Sequence, residues 1–378
     1  MSPSDAFDSE PPASDADERN PHGTNVQGEE LHSGELQSDD SSNANAIRKP
    51  QNSQSYLLQY SARAMACEFE VFVPATANRD EEADAAEPPA LQALQLVEQL
   101  ERQLSVFQTT SELSRINQLA AEEPVGVEPR LFALLQECQR LWRATGGAFD
   151  ITSTPLTRVW GFFRRQGKVP DSDALAEAQQ SVGFENVVLD VETRTVKFKQ
   201  PGIELNLGGI GKGYALDRCG ELLRDLDSPC YLWHAGQSSV LAGGDQPGKP
   251  DGAGWPIEVG NPLKPGKPLG TLLVKSAGVG SSGSGQQFFR HQGKRYGHII
   301  DPRDGQPAGH VLFVSVLAPT AAVADALSTA FYILGPTQTA AYCKRNPGTG
   351  CVMLAANTID GPMNLHVLGV AEDQFLPA

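Results

Sequence analysis

The sequence has no run of about 18 apolar residues, the length a membrane-spanning helix needs, so no such helix is expected. Basic clusters are also missing. With 46 Asp and Glu against 30 Lys and Arg, the 378-residue chain carries a formal net charge of −16, which repels nucleic acid and anionic membranes. The six cysteines (Cys67, Cys138, Cys219, Cys230, Cys343 and Cys351) contain no CxxC pair and no metal-ligand spacing. Free, mostly buried thiols in a reducing compartment are therefore expected. There is no internal repeat and no GxxxxGK[ST] loop, and the glycine turn of residues 206–217 does not fit GxGxxG, so neither a solenoid nor a common nucleotide-binding loop at that turn is indicated. No apolar leader and no lipid-acceptor cysteine stands near the start. The chain as given reads as cytoplasmic, and an exported or membrane-associated form would need a different start site.

What is present divides unevenly. Residues 1–55 hold 11 acidic and 3 basic side chains, and so half of the net charge, with few large apolar residues. Such a segment buries too little surface to offset the entropy of ordering, and a disordered acidic tail is expected. Residues 56–378 read as one domain. Alternation over 65–73 predicts a strand, 78–89 a polar loop, and apolar spacing from Leu91 and from Arg130 two amphipathic helices, the second ending at Gly146 and Gly147. A hairpin over 187–198, a strand in "IELNLGG" and a helix from Lys212 follow. Further strands are expected at 231–234, 238–242, 256–259, 270–275, 295–300, 311–318, 351–355 and 364–369. Strands outnumber helices and are often consecutive, which favours an α+β class over a doubly wound sheet.

Four stretches carry residues suited to chemistry. In "VADALSTAFYILG", Val323 to Gly335, an otherwise apolar helix places Asp325 and Thr329 four apart, on one face. Either they are two hard oxygens for Mg2+, or Asp325 is a solvated residue near the helix start. In "NLGGIGKGYALD", Asn206 to Asp217, glycines before a helix would let backbone N–H groups approach a phosphate beside Lys212, or are simply structural. In "GKRYGHIIDPRDGQP", His298 and Asp301 lie three apart, at a pocket edge or as an ordinary histidine and a turn-capping Asp. In "TGGAFDITSTPLTRVWGF", Asp150 follows a Gly-Gly turn as a cap or a ligand contact.

Together these stretches resemble the ApbE family, the Mg2+-dependent FAD:protein FMN transferases. The ordered pieces are "MACEFEV", "LSVFQTTSELSRIN", "TGGAFDITSTPLTRVWGF", "ELNLGGIGKGYALD", "GSSGSGQQFF", "GHIIDPRDGQP" and "ADALSTA". The pieces run from Met65 to Ala330, and the resemblance as a whole covers roughly residues 60–370. The resemblance implies a single catalytic domain of ApbE-like, T-fold-like α+β architecture, with mixed or antiparallel sheets and packed helices. It implies FAD as substrate and one Mg2+ held by Asp325, Thr329 and the carbonyl of Gly209. FAD contacts would fall to Met65, Ser105, Phe107, Asp150, Gly208, Lys212, Ser282, His298 and Asp301. The implied reaction moves FMN from FAD to a Thr or Ser hydroxyl of a target flavoprotein, and AMP leaves. His298 has the side chain whose ordinary pKa suits a general base; Asp301 would orient it or serve instead, while Lys212 neutralises phosphate charge.

The chain departs from the family pattern in four places. Ala66-Cys67 replaces Gly-Thr, "AGQSS" (Ala235 to Ser239) replaces a Gly-Gly-Asp segment, Ser282-Gly283-Ser284 replaces Ser-Gly-Asp, and the signal and lipobox of exported members are missing. Two acidic residues, at 237 and 284, are thereby lost. The alternatives to transfer are an FAD pyrophosphatase giving FMN and AMP, and a non-catalytic FAD-binding protein.

Overall fold

The structure, a computed structural model, describes residues 56–75, 87–164, 166–249, 252–283, 287–356 and 361–378. The expectations for the acidic segment 1–55, for most of the polar loop at 78–89 and for Ser284 lie outside them. The first half holds β1 (Leu57–Ala64), β2 (Cys67–Pro74), α1 (Pro89–Leu104), α2 (Glu112–Leu119), β3 (Val125–Gly126), α3 (Pro129–Ala144), α4 (Thr154–Val159), α5 (Ser172–Gln180), β4 (Val187–Asp190) and β5 (Thr195–Phe198). The second opens with α6 (Gly211–Asp225), β6 (Tyr231–Ala235), β7 (Ser239–Gly243), β8 (Trp255–Val259), β9 (Gly270–Val274) and β10 (Ala277–Gly283). It closes with β11 (Phe288–His291), β12 (Lys294–Gly297), β13 (Val311–Ala318), α7 (Ala321–Arg345), β14 (Gly350–Ala356), β15 (Met363–Leu368) and β16 (Phe375–Pro377).

Eight strands form one sheet in the order β1-β2-β6-β7-β10-β13-β14-β15, each antiparallel to its neighbours. Its central strands are apolar on both faces because both faces are covered. Along β14, Cys351, Met353 and Ala355 join the core beneath the helices, and Val352 joins a second core on the other side. That second core is closed by the sheet β16-β9-β8, which brings Trp255, Leu272, Val274 and Phe375. A third cluster gathers Leu156, Trp160, Ala178, Val182 and Ile300 around α4 and α5. The class is α+β, as the strand-rich order predicts.

α7 lies directly on β10, and this explains the composition of that strand. A Cβ on Gly280 would stand 2.4 Å from the backbone of Ala324, and one on Gly278 2.4 Å from that of Ala321. β10 reads "AGVGSSG" because side chains would hold the helix off, so it has no apolar alternation to announce it. The helix expected over Val323 to Gly335 starts at Ala321, with Thr320 as its N-cap, kinks at Gly335 (φ 70°) before Pro336, and continues to Arg345.

"IELNL" is no strand. Ile203, Leu205 and Leu207 are buried in alternation, but both backbone groups of Leu205 bond the amide of Asn117 and the Asn206 N–H bonds Ile151. A side chain and a loop replace the neighbouring strand. The strand expected at 295–300 stops at Gly297, so His298 and Asp301 leave the ladder. The sequence pattern also missed β1, β3, β10, β11, β16, α4 and α5.

Candidate active site

The first turns of α6 and α7 meet face to face. Asp325 is 5% exposed, and one of its oxygens accepts the Gly213 N–H at 2.7 Å. Burial holds its carboxyl above the usual carboxylate range, while Lys212, the Ser239 hydroxyl and the Gly213 N–H act in the opposite sense. Thr329 follows one turn later, half-buried, its hydroxyl without a hydrogen-bond partner among the described residues. Opposite it lies Gly209, where a Cβ would sit 3.7 Å from Thr329 Oγ1 and 3.6 Å from the Phe149 ring. Asp325, Thr329 and Gly209, far apart in sequence, thus share one spot. They offer a carboxylate, a hydroxyl and a peptide carbonyl, a donor set that suits Mg2+. Among the described residues no group of three or more His, Cys, Asp and Glu side chains gathers as a metal cluster. A cation here would rest on one carboxylate and neutral oxygens.

Most N–H groups of the glycine turn are already bonded. The Gly208 N–H bonds the Asn206 side chain, those of Ile210 and Gly211 bond the Leu207 carbonyl, and that of Gly213 bonds Asp325. Its glycines serve close approach instead: a Cβ on Gly213 would stand 2.1 Å from the Ala321 carbonyl oxygen. What the turn delivers to the site is Lys212 and the peptide at Gly209, with the Gly208 backbone beside them.

Around this spot runs a hydroxyl-lined wall. Ser282 bonds Ser328 at 2.8 Å, and Ser328 donates to the Asp325 carbonyl at 2.8 Å. Ser239 of β7 is wholly buried beside Asp325. The β1–β2 turn reaches the same place. Cys67 stands within the electrostatic range of Lys212, Asp325 and Glu101, its thiol pKa pushed up chiefly by burial. Met65 and Ala66 close that turn at φ 49° and 60°, a left-handed conformation unfavourable for residues with a Cβ. Glu101 of α1 accepts the Met65 N–H at 2.9 Å and holds the turn in place. At the end of α1, Ser105 receives the Phe107 N–H, and Phe107 is 76% exposed with its ring 5.5 Å from that of Phe163.

His298 and Asp301 form a separate group. His298 Nδ1 lies 3.1 Å from the Gln287 carbonyl oxygen, and its ring meets Phe162 edge-on. A carbonyl can only accept, so Nδ1 carries the proton and Nε2 keeps a lone pair with no hydrogen-bond partner among the described residues. Burial lowers the imidazole pKa. Asp301 does not orient it: both its oxygens take a fork from Arg303, at 2.8 and 2.6 Å. The three-residue spacing failed because the chain leaves the strand at Gly297, so no strand or helix periodicity places the two side chains on one face. No hydrogen bond, ion pair or ring contact among the described residues joins this group to Asp325.

Asp150 is an internal brace. One oxygen accepts from Thr152 N–H and hydroxyl at 2.8 and 2.6 Å, the other from the Phe184 N–H at 3.1 Å. Burial pushes its pKa up to about 6 against these bonds. It therefore shapes the loop that carries Phe149 to Gly209.

Motif reading passed over two partners. Asp217 caps the start of α7, and Ser239 bonds Asp325 from β7. Gly213 and Asp217 are four apart, hence on one face of α6, and that spacing was a legible signal. Ser239 had none.

A family model described as the ApbE family matches residues 65–353. An FAD:protein FMN transferase of Haemophilus influenzae is 32% identical over 259 residues, covering 66% of this chain and 74% of that protein. One from Treponema pallidum is 33% identical over 271 residues, covering 68% and 75%. Among solved structures, the ApbE protein of Thermotoga maritima matches with a TM-score of 0.70 at 27% identity, over 82% of this chain and 97% of that one. The flavin transferase ApbE of Vibrio cholerae matches with a TM-score of 0.71 at 24% identity, over 83% and 97%, a likeness of fold.

Proposed function

The chain belongs to the ApbE family and is an FAD:protein FMN transferase, and from that premise we propose a Mg2+-dependent reaction centred on Asp325. FMN passes from FAD to a Thr or Ser hydroxyl of a target flavoprotein: the acceptor oxygen forms a bond to the FMN phosphorus, the pyrophosphate P–O bond breaks, and AMP leaves. The observation that carries this reading is the meeting of a buried carboxylate, a hydroxyl with no hydrogen-bond partner among the described residues, and a glycine peptide where α6 faces α7.

Asp325, Thr329 and the Gly209 carbonyl would hold the cation, whose chemistry there is neutralisation of pyrophosphate charge. Lys212 adds a second positive charge beside Asp325, and Ser282 extends the polar wall towards the phosphates. Phe107 and Met65 offer apolar surface to the flat flavin rings, with Ser105 fixing the Phe107 backbone. His298 takes the acceptor proton at Nε2, since Gln287 holds Nδ1 in the donor tautomer. Asp301 acts on that loop through Arg303, and Asp150 through Thr152 and Phe184.

The test is incubation with FAD, Mg2+ and a flavoprotein domain carrying an acceptor Thr, followed by in-gel flavin fluorescence and AMP release. Labelling that requires Mg2+ and is lost in Asp325→Asn is expected. FMN and AMP without labelled protein would assign a pyrophosphatase instead, and labelling undiminished in Asp325→Asn would overturn the metal site.

A further inference from the structure

α6 and α7 exchange carboxylates. Asp325 on α7 accepts a backbone N–H of α6, from Gly213. In return Asp217 on α6 accepts two backbone N–H groups of α7, those of Ala321 and Ala322, each at 2.8 Å and each on its own oxygen. The N–H groups at a helix start have no partner within the helix and carry its positive end. Here the usual local cap is present as well, because the Thr320 hydroxyl accepts from Val323 at 3.2 Å. Asp217 therefore adds something a local cap cannot: it fixes where α7 begins relative to α6. Gly213, one turn before it, removes the side chain that would keep the helices apart.

We infer that Asp217 is a positioning residue of the transfer reaction: its two-pronged grip on the start of α7 sets the distance between Gly209 and Lys212 and their counterparts Asp325 and Thr329. The inference rests on the metal-dependent reading of that site. Asp217 and Asp325 point in opposite directions across one helix pair, so together they resist both sliding and separation. Either bond alone would leave a pivot. Both Asp217 oxygens are taken by backbone N–H groups of α7, so its influence on the site runs through the backbone.

The experiment compares Asp217→Asn, Asp217→Glu, Thr320→Ala and Asp325→Asn with the wild-type chain. Mn2+ affinity is read by electron paramagnetic resonance, thermal unfolding by circular dichroism, and flavin transfer over a range of Mg2+ and FAD concentrations. Asp217→Asn keeps the side-chain shape but turns one acceptor into a donor facing an N–H. Groups that support metal ligands typically carry about 10- to 100-fold in metal affinity, so a loss of at least about tenfold is expected. Raising Mg2+ should restore part of its transfer rate while KM for FAD stays within about twofold, the direct role lying elsewhere. Thr320→Ala weakens the same helix end without touching α6, and should lower the melting temperature yet leave Mn2+ affinity unchanged. Asp217→Glu covers the case in which the amide variant does not fold: it retains the charge at the helix start, shifts it by one methylene, and should also lose metal affinity. Wild-type Mn2+ affinity in folded Asp217 variants, or an equal loss in Thr320→Ala, would overturn the inference. Unchanged Mn2+ binding in Asp325→Asn would overturn the site reading beneath it, and the two failures are told apart by which variant shows them.

Discussion

Replacing Gly213 by Ala opposes two effects of known size. Gly213 lies in the first turn of α6, and helix propensity alone would favour Ala over Gly by up to about 1 kcal/mol. Tertiary structure opposes this. The added Cβ would stand 2.1 Å from the Ala321 carbonyl oxygen, 2.4 Å from its carbon and 2.7 Å from the Ala322 nitrogen, where about 3.5 Å is comfortable. All three atoms are backbone, so no side chain can rotate away. Relief requires the helices to part by roughly 1 Å, and overpacking of this kind costs about 1–3 kcal/mol, here towards the upper end. The net is about 2 kcal/mol of destabilisation, or a melting temperature lower by roughly 3 °C for a folded unit of about 300 residues. The same movement stretches the 2.7 Å bond from Gly213 to Asp325, and misplacement by about 1 Å can reduce turnover about a hundredfold. Gly209→Ala is the matched control, since its Cβ would meet only ordinary contacts at 3.6 and 3.7 Å. It should melt within about 1 °C of wild type, a near-neutral change, while losing Mg2+ response beside Thr329. Thermal unfolding and flavin transfer measured on both variants decide the matter. A Gly213→Ala protein that melts higher and transfers flavin normally would refute the close helix contact.

Two further outcomes follow from the other groups. His298→Gln should lower kcat by about 10²- to 10⁴-fold with little change in KM for FAD. Because burial lowers the imidazole pKa from 6.5, the acid limb of the wild-type rate profile should lie below that pH, and a limb at or above pH 7 would exclude this base. The Asp150 carboxyl is held near 6 against an ordinary 3.8, so the folded chain binds more protons than the unfolded chain between those values. That contribution to stability is complete below about pH 4 and is lost as pH rises through about 6, amounting to roughly 3 kcal/mol. Asp150→Asn should flatten this part of the stability curve in urea titrations at pH 4.5 and 6.5; an unchanged slope would show that another group titrates there.

The local signals in the sequence were sound where one element's own pattern suffices. Apolar spacing located α1, α3 and the first half of α7, whose expected end at Gly335 is where the helix kinks. Elements whose composition answers to a neighbour were missed. β10 is poor in apolar residues because α7 presses on it, and Leu205 sits in alternating, strand-like sequence whose partner is the Asn117 side chain. Pairings read from short spacing divided in the same way. Asp325 and Thr329 share a face because an intact helix fixes the i, i+4 relation, whereas His298 and Asp301 separate where the strand ends.

By itself, then, the sequence determined the α+β class, the family, and the candidate side chains now proposed for cation binding and proton transfer, since residue types, their order and helical spacing are properties of the chain. Tertiary structure alone decided that Gly209 faces Thr329 and that Asp217 and Asp325 lock two helices together. Those relations join residues as far as 120 positions apart, and only packing, with every buried carboxylate needing its donors, brings such partners to one place.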